Sequence, residues 1–342
     1  LSMTISHKFL NFLTSAPGLV RPCRGFQCHA YSILLMLVLG CMAANDARAQ
    51  AGFQAAGTAQ SGTAALTVPW PAHQAGDIAL LFVETRQAQA VTLTTANGFV
   101  AVLNSPQATT TDLVAPNTGT RLSVFWARAT SAAMASPIIA ASPDHAYARI
   151  LTYRRVDNTG NPWDVTGGGN ESGANNTTLT VTGVTTTVAN TRVVQAASRN
   201  NDSAAAAFSA QTNVGLTGIA ERHDAGTATG DGGGIGVWDG LRAVAGATGN
   251  TTATVTSSVN AFLTIALRPA TTYYSRASAG WSVGTTWSTI GCGGAAAGAV
   301  PYAGSDVVIC DGNTVTLDAN SVILNSLTVQ TTGVLKIGNN AT

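Results

Sequence analysis

The chain has 342 residues, of which 45% are hydrophobic and only 10% charged, and its formal net charge is +1. A nucleic-acid binder needs a dense basic face to displace counterions from phosphates, and 17 Lys and Arg set against 16 Asp and Glu do not supply one. Thr, Val, Gly, Ser and Asn abound without long stretches of helical periodicity, a composition that favours pleated strands joined by turns over a helical fold.

The first residue is Leu1, so the sequence reads as a fragment or as a translation from a non-standard start, with Val20 a candidate true start. Arg21 and Arg24 precede the apolar run Tyr31–Gly40, and Ala47-Arg48-Ala49 follows. A basic region, a short apolar region and an A-x-A site make a secretory signal peptide over 1–49, cleaved after Ala49. The apolar run falls short of the roughly 20 residues of a membrane-spanning helix. Val38-Leu39-Gly40-Cys41 competes as a lipoprotein processing site, with Leu39 where a small residue is usual. The expectation is an exported protein, at the cell surface, extracellular or outer-membrane associated, with no transmembrane segment in the mature chain. Four of the Lys and Arg and one of the Asp and Glu lie in the leader, so the mature net charge is −2, and Lys336 is the sole remaining lysine.

Residues 50–270 read as one all-β domain. Apolar runs recur at Ala64–Val68, Ile78–Val83, Leu122–Trp126, Ala146–Tyr153, Thr178–Val181, Thr191–Val194, Leu216–Ala220, Gly234–Trp238, Ala253–Val255 and Ala261–Leu267, most of them bounded by Gly, Asn, Asp or Pro. Many short strands punctuated by turns predict an antiparallel β-sandwich of jelly-roll type. Ile78, Leu80 and Phe82, one of Val124, Phe125 and Trp126, and Leu263 or Ile265 are expected in a common core, with one face of each strand buried. Ser203–Ala210 fits a helical turn or a loop. Pro269 closes the domain, since proline cannot donate to a ladder.

Residues 271–342 read as the start of a second β domain. Val307 and Ile309 recur twenty residues later as Leu327 and Val329, and Val315 and Leu317 recur as Leu335 and Ile337. Such a period predicts successive coils of a β-solenoid; a small β-sandwich of two hairpins is the alternative. The apolar edge after Ile337 calls for a partner or cap, so the domain is expected to be incomplete here. Three of the five cysteines precede position 50. The remaining pair, Cys292 and Cys310, is expected to form a disulfide in an exported chain, the alternative being two free buried thiols. Two cysteines without nearby histidines are too few for a structural zinc site.

The segment YYSRASAGWSVGTTWSTIGCGGAAAGAVPYAGSDVVICDGNTVTL, Tyr273–Leu317, carries a Tyr-Tyr start, paired Trp-Ser motifs, a Cys on either side of a Gly/Ala/Pro loop and a Thr-Val-Thr-Leu strand. Over about 70 residues it resembles the MshQ-like proteobacterial surface proteins linked with the mannose-sensitive haemagglutinin pilus, a type IV pilus system. The upstream region, from AGDIALLFVE to LTIALRP, is similar to a β-sandwich module of bacterial surface and phage-associated proteins. The resemblance implies a surface or pilus-associated role and brings no catalytic residues.

Motifs for chemistry are sparse. His73, His145 and His223 are scattered, and Glu221-Arg222-His223-Asp224 reads as a solvated polar turn. No G-x-S-x-G elbow occurs. Asp231–Asp239 is glycine-rich but lacks the Lys-Ser/Thr and following helix of a phosphate cradle, so it reads as a loop entering a strand. Asp77, Glu84, Asp157, Asp164, Glu171, Asp224, Asp231 and Asp239 are carboxylates of the type glycosidases pair. Asp157-Asn158 and Asp164 could ligate Ca²⁺, the one cofactor considered, although turn chemistry accounts for the same residues. Among Trp70, Trp126, Trp163 and Trp238, Trp126 reads as core. Trp163, between Pro162 and Asp164, is the candidate for exposed stacking on a sugar. The leading expectation is a non-catalytic adhesion or pilus-associated protein, with surface glycans or pilus components as partners. A carbohydrate-binding module and a polysaccharide-degrading enzyme are the alternatives.

Overall fold

The computed structural model describes residues 50–109, 119–302, 304–319, 322, 324 and 326–338. The expected leader over 1–49 and the closing Asn340-Ala341-Thr342 lie outside the described residues. Just over half of the described residues lie in strands, and the helix among them is a single three-residue 3-10 turn, Gly284–Thr286; none is long and apolar enough to cross a membrane.

The first half of the sandwich contributes β1 (Gly52–Ala56), β2 (Gln60–Gly62), β3 (Leu66–Thr67), β4 (Ile78–Arg86), β5 (Leu93–Thr95), β6 (Val100–Ala101), β7 (Gln107–Ala108), β8 (Thr120–Arg128), β9 (Ile138–Ile139) and β10 (Ala146–Arg154). The second half contributes β11 (Trp163–Val181), β12 (Thr185–Thr186), β13 (Thr191–Arg199), β14 (Phe208–Thr212), β15 (Thr217–Thr227), β16 (Gly233–Arg242), β17 (Gly246–Ala247) and β18 (Thr251–Leu267). One sheet runs β1-β10-β4-β8-β6 and the other β11-β18-β13-β16-β15, with all neighbours antiparallel. Each sheet is thus filled by one half of the chain, which does not wind back and forth between them. Ser203–Ala210 is a bent segment running into β14.

Between the sheets lies one core. Ile78, Leu80, Phe82, Val124, Leu263 and Ile265 are all buried in it, with Trp126 packed against its edge. Phe125 points the other way, into a second cluster. The expectation of one buried face per strand needs correction. On the outer face of the first sheet, Ala79, Leu81, Val83, Ala148 and Ile150 lie buried with Leu66, Val68, Phe99 and Ile139. On the second sheet, Ala197, Trp238 and Phe262 cluster with Leu179, Val181, Phe208 and Val255. A strand covered on both sides reads as a continuous apolar run, as Ile78–Val83 does.

The two sheets repeat one topology. Each orders its five path strands first, fifth, second, fourth, third. The short pair β3–β9 in the first half corresponds to β12–β17 in the second. The registers correspond too: Leu80 opposite Leu151 becomes Val194 opposite Ile265, each shifted by 114 residues. Phe82 opposite Val124 becomes Ala196 opposite Val237, shifted by 114 and 113. Gly76, with φ of 92°, leads into β4, and Asn190, 114 residues later with φ of 59°, leads into β13.

Beyond Pro269 come β19 (Thr272–Ser275), β20 (Ala279–Gly280), β21 (Trp287–Ser288), β22 (Asp306–Ile309), β23 (Thr314–Leu317), β24 (Ser326–Val329) and β25 (Val334–Ile337). Their ladders are parallel: β19-β22-β24 on one side and β20-β23-β25 on the other. Val307 sits opposite Leu327, Ile309 opposite Val329, Val315 opposite Leu335 and Leu317 opposite Ile337. The twenty-residue period is therefore the rise from one solenoid coil to the next, and the small-sandwich alternative falls. At the first coil, Tyr273, Trp281 and Trp287 close the interior. The two tryptophan rings meet edge to face at 4.8 Å, and Trp287 Nε1 donates to the Trp281 carbonyl at 2.8 Å.

Candidate functional site

The inward face of each central strand turns from apolar to polar at one end of the sandwich. Alternation carries Ile78, Leu80 and Phe82 into the core, and the next inward position on β4 is Glu84. By the same parity β8 presents Thr120 ahead of Leu122, and the residues leading into β10 present His145 ahead of Tyr147. Glu84 and Thr120 are wholly buried and His145 is 1% exposed. A carboxylate so placed must be paired or pay a large desolvation cost.

Pairing is extensive. Thr120 Oγ1 donates to Glu84 Oε1 at 2.9 Å, and His145 Nε2 lies 3.0 Å from Oε2. The Nδ1 of His145 contacts Asp144 Oδ1. Both ring nitrogens face carboxylate oxygens, which accept, so the ring carries both protons. Arg86 ties Asp144 to Asp231 of the facing glycine-rich loop, at 3.8 and 3.0 Å, and the Asp231 amide donates to Asp144 Oδ1 at 3.0 Å. Arg199, also wholly buried, donates to the carbonyls of Asn201, Ser203 and Ala205 at 2.6, 3.0 and 2.7 Å.

Burial pushes the Glu84 carboxyl up, against the pull of its His145 bond. Burial alone would lower His145, but its bonds to Glu84 and Asp144 prevail and raise it to about 9. Burial would raise Asp144, but His145, the Asp231 amide and Arg86 hold it below the usual range. Three carboxylates thus stand among three cations: His145, Arg86 and Arg199.

On the side of the second sheet the Glu84 carboxylate is closely packed. A Cβ on Gly233 would lie 2.3 Å from the Glu84 carboxylate, so the facing strand already touches it. Ser142 Oγ, the nearby hydroxyl, donates to the His145 carbonyl at 2.7 Å rather than to the ring. The cluster is built as a latch between the sheets.

His223 forms a neighbouring knot. Its place in a solvated turn is corrected: it lies in β15 and is 5% exposed. Arg149 Nη1 lies 2.6 Å from its Nδ1. A guanidinium only donates, so the ring proton is on Nε2, which donates to Tyr147 Oη at 3.1 Å. Burial, then the Arg149 charge, lowers the ring to about 3, keeping it neutral. Asp224 accepts the amides of Ala207 and Phe208, both at 2.7 Å. At the opposite end of the interior, buried Asp239 takes two bonds from Arg222, at 2.8 and 3.0 Å, and one from Arg192 at 3.3 Å.

The stacking candidate also needs correction. Trp163 is 7% exposed, meets Trp126 edge to face at 5.6 Å and belongs to the main core. Trp238, Trp281 and Trp287 are buried, while Trp70 and Trp126 are half-buried. The Ca²⁺ candidates are engaged by protein. Asp157 Oδ1 accepts from Thr159 and from Tyr302 Oη, and Asp164 accepts from the Thr187 amide and hydroxyl and the Val188 amide. Among the described residues, no group of three or more His, Cys, Asp or Glu is arranged to hold a metal ion. Cys292 and Cys310 are disulfide-bonded, with Cα atoms 5.8 Å apart. The bond fastens the glycine- and alanine-rich loop to the residue that follows β22.

Sequence reasoning weighed Glu84 only as one carboxylate in a roll and missed its partnership with His145. The available signal was parity: Glu84 falls on the inward side of an otherwise apolar strand. Compared with protein-family models, curated proteins and solved structures, the chain matches none.

Proposed function

We propose that this is a non-catalytic exported protein of the cell surface, adhesive or associated with a type IV pilus, as its C-terminal resemblance to MshQ-like proteins implies. One observation carries the reading: a β-sandwich is joined directly to parallel coils in a fixed twenty-residue register, fastened by a disulfide. That combination suits a scaffold that holds shape outside the cell, where disulfides persist. The closed, mutually neutralised Glu84–His145–Asp144 cluster supports a structural rather than a catalytic use of the buried charges. The burial of Trp163, at 7% exposed, favours this reading over the carbohydrate-binding alternative that leaned on its exposed ring.

Protease shaving of intact cells, with mass spectrometry of the released peptides and of sheared pili, tests the proposal. Peptides from residues 50–342 are expected in the shaved or pilus fraction. Confinement to the cytoplasm, or release of reducing sugar from polysaccharide by the purified protein, would overturn it.

A further inference from the structure

Where the chain leaves β18 and enters the first coil, a cleft of about 300 Å³ opens, with Pro269, Thr271, Thr272, Thr289, Ala297 and Ala299 in its lining. That volume lies at the small end of ligand pockets. Two walls build it. One is the exit segment of the sandwich, where Pro269 is held by its bridge to Val156. The other is the glycine- and alanine-rich loop. Its Ala297 amide donates to the Trp287 carbonyl at 2.8 Å, and the Cys292–Cys310 bond fastens it.

The chemistry of the lining selects a ligand class. Among the described residues, none that lines the cleft is charged. An anion or an ammonium group would have to shed water there without a counter-charge, which is costly. Three threonines line the cleft, and each sets a hydroxyl, which donates once and accepts twice, beside a methyl group. Thr272 is 6% exposed, and its hydroxyl has no hydrogen-bond partner among the described residues. A buried hydroxyl left so is costly, and a hydroxyl on a ligand would satisfy it. Pro269, Ala297 and Ala299 add carbon surface between the hydroxyls. A lining that mixes hydroxyl with hydrocarbon matches a molecule that alternates hydroxyl and C–H groups. Recognition here goes by hydroxyls, not by the tryptophan stacking considered for Trp163.

We propose that this cleft binds an uncharged, polyhydroxylated molecule of the size of one sugar ring, with the Thr272 hydroxyl as a hydrogen-bonding partner. The proposal goes beyond the surface role above and does not rest on it, since it concerns the purified chain and a free ligand.

Titration of the nitrogen-15-labelled full chain with methyl β-D-glucopyranoside, methyl β-D-galactopyranoside and myo-inositol, followed by amide NMR, tests it, with glucuronate as the charged control. At least one uncharged probe is expected to give saturable shifts at residues 270–273, 289 and 297–299, and glucuronate none there. Thr272→Val keeps the shape of the side chain and removes the hydroxyl. It should weaken the bound probe at least about tenfold. It should also leave the melting midpoint of the free protein at or above that of the wild type, because an unpartnered buried hydroxyl is gone. A structural hydroxyl would instead show a lowered midpoint with unchanged binding, and that result overturns the inference. So does binding of glucuronate as tight as that of the uncharged probes. Shifts that fail to saturate with all three uncharged probes, or that saturate only at residues away from the cleft, overturn it as well.

Discussion

Two histidines of opposite character contribute opposing limbs to the pH response of the sandwich. His145 is raised to about 9 by its carboxylate partners, against burial, while His223 is lowered to about 3 by burial and Arg149. A raised histidine adds stability that is complete below its unfolded value of 6.5 and is lost as pH climbs from 6.5 towards 9. A lowered histidine adds stability that is complete above 6.5 and is lost as pH falls from 6.5 towards 3. Urea midpoints measured against pH should therefore peak near neutrality. His145→Gln should flatten the alkaline limb alone, and His223→Gln the acid limb alone. Removing the buried carboxylate with Glu84→Ala strands His145 beside Asp144 and should cost about 3–5 kcal/mol at pH 7, as breaking a buried pair does. A loss below about 1 kcal/mol would show that the cluster is not a latch. None of this was legible from residue types. Carboxylate partners, against burial, make His145 a cation, and burial makes His223 a neutral ring; both follow from strand pairings far apart in sequence.

Strands were the most legible level, because turn residues and apolar runs are local. The runs at Ile78–Val83, Ala146–Tyr153 and Ala261–Leu267 each lie within an observed strand, and the twenty-residue coil register could be read directly from Val307, Ile309, Leu327 and Val329. The repeat of the two sheets was hidden. Its equivalent residues are seldom alike: Phe82 corresponds to Ala196, Tyr147 to Ala261, and Leu80 to Val194. The reason is packing. Two sheets that share one core interdigitate large side chains with small ones, so facing halves diverge in size while keeping parity and register. Phe82→Ala should cost about 3–5 kcal/mol as a cavity, and Ala196→Phe about 1–3 kcal/mol as overpacking. If β4 and β13 share volume, the double variant will cost less than the two single costs combined. Strict additivity in a double-mutant cycle would deny that sharing. The repeated turn gives a backbone counterpart. Gly76→Ala forces a side chain to a positive φ and should cost about 1–2 kcal/mol. Asn190→Gly, at the equivalent left-handed position, should change stability by less than about 0.5 kcal/mol. Thermal midpoints compared between the two variants decide this.

At the level of the whole molecule, the cores set how the protein unfolds. The main sandwich core draws residues from both sheets, so neither half can leave without exposing the inner face of the other, and the sandwich should melt as one unit. The solenoid has its own core, around Tyr273, Trp287, Val307, Ile309 and Val315. The contacts seen across the junction among the described residues are modest: the bond from Tyr302 Oη to Asp157, and the approach of Gly304 to Gly76, where an added Cβ would lie 3.6 Å from the Gly304 Cα. Two calorimetric transitions are therefore expected. The Cys292–Cys310 bond, spanning 18 residues, lies wholly within the second. Closing a loop of that length is worth about 3 kcal/mol in the chain-entropy model. For a domain of this small size, each kcal/mol moves the midpoint by roughly 4–8 °C. Reduction should thus lower the solenoid transition by more than about 10 °C and leave the sandwich transition in place. Cys292→Ser with Cys310→Ser should reproduce the shift without reductant, and thiol labelling of the unreduced, unfolded wild type should find neither cysteine free. A single transition that moved as a whole on reduction would mean that the short junction couples the domains far more tightly than its few contacts account for.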